Sequence, residues 1–369
     1  MVEPDDRLLI TLGLRDQALN VAKEAASLVG ASVSSYEDIK DFTECLESQM
    51  PLAVLVRPGQ LAQAATFNLR TQPRFANVPI FGAALDRSDL SFVELFTWGG
   101  DDLVSLVNSE PLSRRLRILC SQSVARASQG PGEGYALVAG ADPQWRTVMA
   151  RALFNGGFRV RFSSSATDTL DELRNDQVRM VVAADGLRPD GAASVFREAR
   201  KTNQVPWVVV ASPKRLAACA SELRGSTNVA IADAFGPPEN VLFVANDLIH
   251  GRGGDKRAAV RLLYGTSVAF RPAGREVDDV GFSYNLSSGG VYVRTLAPCD
   301  VGQEIWLELW PPRSERRVRL AGSVAWVRPF GSPEGATAPP GCGVQLSAGL
   351  AGDLERYREG VDVFERSHS

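Results

Sequence analysis

Histidine is almost missing: the chain has two, His250 and His368, and neither sits beside an acid or nucleophile pattern. Histidine is the side chain most used for proton transfer near neutral pH and for holding transition metals, so neither a catalytic triad nor a metal centre is expected. Cysteine is sparse too. Cys45, Cys120, Cys219, Cys299 and Cys342 are odd in number and scattered, with no C-x-x-C pair, which leaves no disulfide framework or zinc site to predict. No apolar run is long enough to span a bilayer, and the start Met1-Val2-Glu3-Pro4-Asp5-Asp6-Arg7 is acidic and lacks an apolar core. No membrane span and a cytoplasmic location are expected. A surplus of one charge is also lacking, since 40 Lys and Arg stand against 43 Asp and Glu for a net charge of -3. Bulk attraction to a nucleic acid polymer or an anionic membrane is therefore excluded, and any anion site must be local.

What is present is enough chain for two or three domains, 369 residues with 44% hydrophobic content. Residues 7–122 alternate strand-like and helix-like patterns. The stretch 7–12 reads as a buried strand, 16–29 places Ala18, Val21, Ala25 and Leu28 on one helical stripe, and 51–56 and 78–81 are further apolar strands. Short apolar strands separated by helices predict a parallel sheet with helices on both faces. A Ser-, Gln- and Gly-rich stretch follows, 121–134, which reads as a linker. Its glycines precede a strand and lack the G-x-G-x-x-G spacing, so they are not a dinucleotide loop. The α/β pattern then repeats, with strands at 135–138, 158–162, 180–185 and 205–210.

Both α/β runs resemble response-regulator receiver domains, the first through Gly99-Gly100-Asp101-Asp102 with Pro111-Leu112-Ser113-Arg114-Arg115-Leu116, the second through Asp142-Pro143, Gly156-Gly157-Phe158 and Asp185 with Pro189-Asp190-Gly191. The resemblance implies a phospho-acceptor Asp after the third strand, an acidic pair for Mg²⁺ and a Lys near the fifth strand. In the first run the acceptor position is Arg57 and the Lys position is Leu106; Asp101 and Asp102 fall in a loop of that pattern. In the second, Asp185 is acceptor-like, but Asp142 comes one position late and Asp233-Ala234-Phe235 stands where Lys-Pro-Phe belongs. A carboxylate in place of the cation repels the phosphoryl group, so Asp185 is expected to be inactive and to cap the following turn. Both runs are pseudo-receivers on this reading.

After a second linker, His250-Gly251-Arg252-Gly253-Gly254-Asp255, two arginines stand four apart, Arg257 and Arg261. A guanidinium is a planar fork of donors that suits phosphate oxygens and the O6/N7 edge of guanine. Arg-x-x-x-Arg also occurs as Arg70/Arg74, Arg271/Arg275 and Arg313/Arg317, so the pair alone reads as solvated surface. It gains meaning from Asn285-Leu286-Ser287-Ser288-Gly289-Gly290, one hairpin downstream. There Asn285 and Ser287 share a strand face, and the glycines permit positive φ and close approach. Six strand-like segments follow one another at 261–270, 276–285, 290–296, 304–310, 316–327 and 343–346, and Leu350, Leu354, Tyr357, Val361 and Phe364 recur at helical spacing.

This succession from 255 to the C-terminus resembles the PilZ domain, a small β-barrel family whose members bind cyclic di-GMP through RxxxR and (D/N)xSxxG. The resemblance implies Arg257, Arg261, Asn285, Ser287 and Gly290 as ligand residues, with Arg257 and Arg261 on phosphates and guanine edges. The expected architecture is a pseudo-receiver at 1–122, a second at 134–249 and a PilZ-like barrel with a C-terminal helix at 255–369. Two flavodoxin-like doubly wound sheets thus precede an all-β six-stranded barrel. The expected function is a bacterial signalling effector, not an enzyme and without a cofactor, that relays cyclic di-GMP through domain rearrangement to motility, pili or biofilm and polysaccharide output. A signalling or motility protein is the expected partner, and a homodimer is compatible with pseudo-receivers. The alternative is a ligand-independent interaction scaffold.

Overall fold

The computed structural model describes residues 7–75, 77–84, 89–126, 134–250, 260–330 and 338–368. Residues 251–259, among them Arg257, lie outside them. The first α/β fold runs β1 (Leu8–Leu12), α1 (Asp16–Ser27), β2 (Ser32–Tyr36), α2 (Ile39–Ser48), β3 (Ala53–Val56), α3 (Gln60–Thr71), β4 (Ile80–Ala84), α4 (Asp89–Thr97), β5 (Asp102–Ser105) and α5 (Glu110–Arg126). The second repeats it as β6 (Tyr135–Ala139), α6 (Pro143–Asn155), β7 (Val160–Ser163), α7 (Ala166–Glu172), β8 (Val178–Ala184), α8 (Ala192–Ala199), β9 (Trp207–Ala211), α9 (Pro213–Glu222), β10 (Val229–Asp233) and α10 (Asn240–His250). Each sheet is parallel, with strand orders β2-β1-β3-β4-β5 and β10-β9-β8-β6-β7. These are the same flavodoxin-like winding. The apolar runs became central strands because, as Ile10, Val54, Val138 and Val182 show, both faces are buried. Leu28, expected on the buried stripe of α1, instead follows the helix as its cap and is 59% exposed.

The C-terminal part is β11 (Leu262–Leu263), β12 (Ser267–Pro272), β13 (Asp279–Ser287), β14 (Gly290–Arg294), β15 (Glu304–Leu309), β16 (Val318–Arg328), β17 (Gly341–Gly349) and α11 (Asp353–His368). Strands β13-β12-β15-β16-β17-β14 pair antiparallel, and β14 returns to β13, which closes a six-stranded barrel. The first expected strand is split, so that β11 is a short addition on β13. Alternation in β15 sorts as expected: Ile305, Leu307 and Leu309 are buried in the barrel core, and Trp306 is 54% exposed. On α11, Leu354, Tyr357 and Val361 plug the core, but Leu350 lies before the helix and is exposed.

Two compact units result. One contains Gln129–Lys256 with Gly331–Pro339, and thus the second α/β fold; the other contains the first α/β fold together with the barrel. Within the latter, Leu112, Leu116 and Leu119 of α5 share a core with Leu296 and Phe330 of the barrel part. Phe92 and Phe96 of α4 pack on Phe282 at ring-centroid distances of 5.1 and 5.8 Å. Such pairs contribute about 1 kcal/mol each beyond the area they bury.

Charges are buried there as well. Arg115 of α5, whose side chain is fully enclosed, donates to Asp102 Oδ2 at 2.8 Å and to both carboxylate oxygens of Asp279 at 3.0 and 2.9 Å. It also reaches the Val280 carbonyl and Thr295 Oγ1. Asp102 Oδ2 in turn accepts from the Leu296 amide at 2.8 Å. Nearby, Arg70 donates to Asp101 Oδ2 at 2.8 Å, and both side chains are buried. The reading of Asp102 as a loop residue is corrected here, since it opens β5, whereas Asp101 does precede the strand; Asp101, Asp102 and Arg70 are all enclosed by ion pairing. Burial works against the Arg115 charge, yet Asp102 and Asp279 outweigh it and hold its pKa above the ordinary arginine value. Burial pushes the Asp102 carboxyl upward against the pull of Arg115.

Removing one member of such a cluster leaves the others buried without a partner charge. Arg115→Met is expected to destabilise the chain by about 3–5 kcal/mol in urea denaturation. The deficit should also depend on pH. Without the guanidinium the folded-state pKa of Asp102 rises further above its unfolded value, so the folded state binds a proton that the unfolded state releases. Stability relative to the parent should therefore recover as pH falls and be lost as pH rises through that folded pKa. A small, pH-independent loss would contradict the role assigned to the cluster.

Candidate ligand-binding site

The hairpin from β13 to β14 is closed by a two-residue turn, Ser288-Gly289, between the paired residues Ser287 and Gly290. Three contacts hold it. The Leu346 amide of β17 donates to the Gly289 carbonyl at 3.0 Å, and the Tyr357 hydroxyl of α11 lies 3.1 Å from the Ser287 carbonyl and 2.9 Å from that of Gly290. A register shift between Ser283 and Asn285 marks a bulge in β13, which re-aims the residues that follow it.

β11 brings the arginine to this turn. Leu262 pairs with Leu286 and Leu263 with Asn285, so the antiparallel register, continued by one residue, sets Arg261 opposite Ser287. Ser283 Oγ locks the segment behind it by donating to the Tyr264 carbonyl at 2.6 Å and accepting from the Thr266 amide at 2.8 Å. Separated by 24 positions in sequence, the two motifs thus meet at one edge of the barrel.

Between them lies a cleft of about 240 Å³ lined by Arg261, Asn285, Ser287, Gly289 and Gly290, with Trp326 and Gln345 opposite. Asn285 is nearly buried, and Arg261 and Ser287 are half-buried. Of the five residues expected to hold a ligand, four line this cleft, and Arg257 lies outside the described residues. Sequence reasoning missed the aromatic wall: Trp326 stacks on Tyr292 at 4.8 Å and 25°, and Tyr292 meets Tyr284 edge-on at 5.8 Å. Burial raises the Tyr292 pKa well above that of a free phenol, so it stays neutral. The cleft therefore offers a guanidinium, an amide, a hydroxyl and an indole to one ligand, a set suited to a planar base carrying phosphate.

The glycine reading needs one correction. Neither Gly289 nor Gly290 has positive φ. Gly290 is required by contact, because a Cβ there would lie 2.7 Å from the Val344 carbonyl of β17.

The receiver-like positions assemble differently. Arg57, at the acceptor position of the first fold, is exposed after β3. In the second, Asp185 does not cap its turn as expected; its carboxylate accepts from Arg215 Nε of α9 at 3.4 Å. Asp142 caps α6 through the Gln144 amide, and Asp233 accepts from the Phe235 amide. Among the described residues no group of three or more His, Cys, Asp or Glu could hold a metal ion.

Fold and cleft together define a binding barrel joined to receiver-like α/β folds. Residues 255–360 match the PilZ domain and constitute one, and PilZ is a non-catalytic binding domain. No curated protein matches the chain. Among solved structures, the chain is similar to the inhibitor of motility MotI/DgrA of Bacillus subtilis, with 20% identity over 31% of this chain and 53% of that one and a TM-score of 0.25. The chain thus spans about half the length of that protein. It is also similar to the receiver domain of NtrX from Brucella abortus, with 19% identity over 31% of this chain and 98% of that one and a TM-score of 0.29. No helix among the described residues is long and apolar enough to cross a membrane.

Since the Val344 carbonyl is backbone and cannot swing aside, Gly290→Ala is expected to cost about 1–3 kcal/mol by prying the turn from β17. Gly289→Ala, where the added Cβ meets nothing within 4 Å, should cost far less. Thermal denaturation of the two variants checks the contrast; equal losses would show that the approach of β17 is not what demands the glycine.

Proposed function

We propose that this chain is a cyclic di-GMP-binding signalling effector whose ligand sits in the cleft between Arg261 and the 285–290 turn. The observation that supports it most is the convergence of the two motifs: Arg261, Asn285, Ser287 and Gly290 line one cleft although the arginine and the turn are separate stretches of sequence. In this reading Arg257 and Arg261 take phosphate oxygens and guanine edges, Asn285 and Ser287 take the base side, and Trp326 offers a flat apolar face. A phosphate reaching Arg261 exchanges hydration for charge-assisted bonds, the strongest class of hydrogen bond available to a surface cleft.

Both arginines follow directly on the linker 250–255. A ligand held by the pair constrains how the second α/β unit is tethered, so the proposed output is a rearrangement of that unit, read by a signalling or motility protein. The outputs proposed on the PilZ resemblance are motility, pili or biofilm and polysaccharide production. In this reading both receiver-like folds serve as packing or docking modules, because Arg57 stands at the acceptor position of the first and Asp233-Ala234-Phe235 replaces Lys-Pro-Phe in the second, where phosphoryl transfer needs a positioned cation. The reading of Asp185 is that it stays unphosphorylated, paired with Arg215.

Titration calorimetry of the full chain with cyclic di-GMP tests the proposal. Binding is expected, with Arg261→Ala or Arg257→Ala costing on the order of 2–5 kcal/mol and Arg313→Ala almost nothing. Small-angle scattering should change on saturation. No heat well above micromolar ligand would replace this reading with the ligand-independent scaffold, and equal losses at all three arginines would mean the pocket is wrong.

A further inference from the structure

Helix α11 touches both halves of the cleft. The Tyr357 hydroxyl lies within hydrogen-bond distance of the Ser287 and Gly290 carbonyls, the two residues that flank the turn. A phenol has one proton, so it donates to one of these carbonyls at a time or shares the proton between them, and either way it ties the turn to the helix. Burial keeps that phenol protonated by raising its pKa. Seven residues further, two helical turns along the same face, the Phe364 ring meets Tyr264 edge-on at 5.5 Å and 73°. Tyr264 belongs to the segment that carries Arg261 and is pinned to β13 through Ser283. Leu354, Tyr357 and Val361 seat the helix in the barrel core between these contacts. One rigid element thus contacts the turn through Tyr357 and the arginine segment through Phe364.

We propose that α11 shapes and reports the occupancy of the cleft, with Tyr357 as the positioning residue that holds the Ser287–Gly290 turn at ligand-competent spacing and Phe364 as the contact through which the arginine segment acts on the helix. This deepens the cyclic di-GMP reading and rests on it. A ligand that draws Arg261 toward the turn presses Tyr264 and Phe364 together and stabilises the helix. Linkage makes the coupling reciprocal: whatever stability the ligand lends the helix, the helix lends to ligand binding. Single elements open locally at lower cost than global unfolding, so the effect is measurable as amide exchange.

The test uses the full chain, with hydrogen exchange over 353–368 measured without and with saturating cyclic di-GMP, alongside calorimetry. In the parent protein, ligand is expected to slow exchange in α11 several-fold. Tyr357→Phe should bind about fivefold to tenfold more weakly, the effect of one lost hydrogen bond, and should lose most of the ligand-dependent protection. A purely structural role for Tyr357 would lower the unfolding temperature without changing the ligand response. Phe364→Leu should keep α11 folded yet weaken the response, and it carries the test if Tyr357→Phe fails to fold. Ligand binding with α11 exchange unchanged in the parent protein, or with the response intact in whichever variant folds, overturns the inference and leaves the cyclic di-GMP reading standing. If the parent protein binds no cyclic di-GMP, both fall.

Discussion

Everything in the first compact unit depends on one buried guanidinium. Enclosing Arg115 costs several kcal/mol of hydration, and only a near-complete set of acceptors offsets that cost. The set is drawn from both sides: Asp102 and the Pro111 carbonyl from the α/β fold, Asp279, the Val280 carbonyl and Thr295 from the barrel. Separating sheet from barrel would strand charges that neither half can satisfy alone. A hydrophobic contact such as Phe92 on Phe282 adds energy but tolerates sliding; the forked geometry of Arg115 on Asp279 does not.

Asp279 is also the first residue of β13, and the same strand ends at Ser287 in the candidate site. One nine-residue strand therefore has its start fixed by α5 and its end fixed by α11 through Tyr357. Between these anchors, the bulge at Ser283 to Asn285 sets which side chains face the cleft. The cleft inherits its rigidity from that double anchoring, as a preorganised site requires. An α/β fold with Arg57 at the acceptor position thus anchors the strand that ends in the candidate site.

Much of this was legible in the chain. Strand and helix periodicity revealed two parallel sheets, a barrel and a terminal helix, because burial on both faces, on alternate residues or on one stripe leaves distinct patterns. The two motifs could be matched to a family because their chemistry is local. What stayed illegible is pairing between distant charges. Arg115 and Asp279 stand 164 positions apart, and nothing in either neighbourhood marks them as partners. Arg70 shares its four-residue spacing with Arg74, and the spacing says nothing of its burial on Asp101. Tyr357 showed only as an apolar member of a helical stripe; periodicity registers a buried ring and is blind to the hydroxyl at its tip. Gly290 was marked both for positive φ and for close backbone approach; the first does not hold, and the approach the structure shows is that of β17, a neighbour in space the local sequence does not reveal.

The contrast between Arg115 and Arg261 shows how one residue type does opposite work. Arg115 is enclosed, with its donors turned toward fixed protein oxygens, so no ligand can reach it. Arg261 is half-buried and lines an open cleft. The enclosed arginine thus lies where the α/β fold meets the barrel and Arg261 lies in the candidate site, and β13 joins the two places in a single strand.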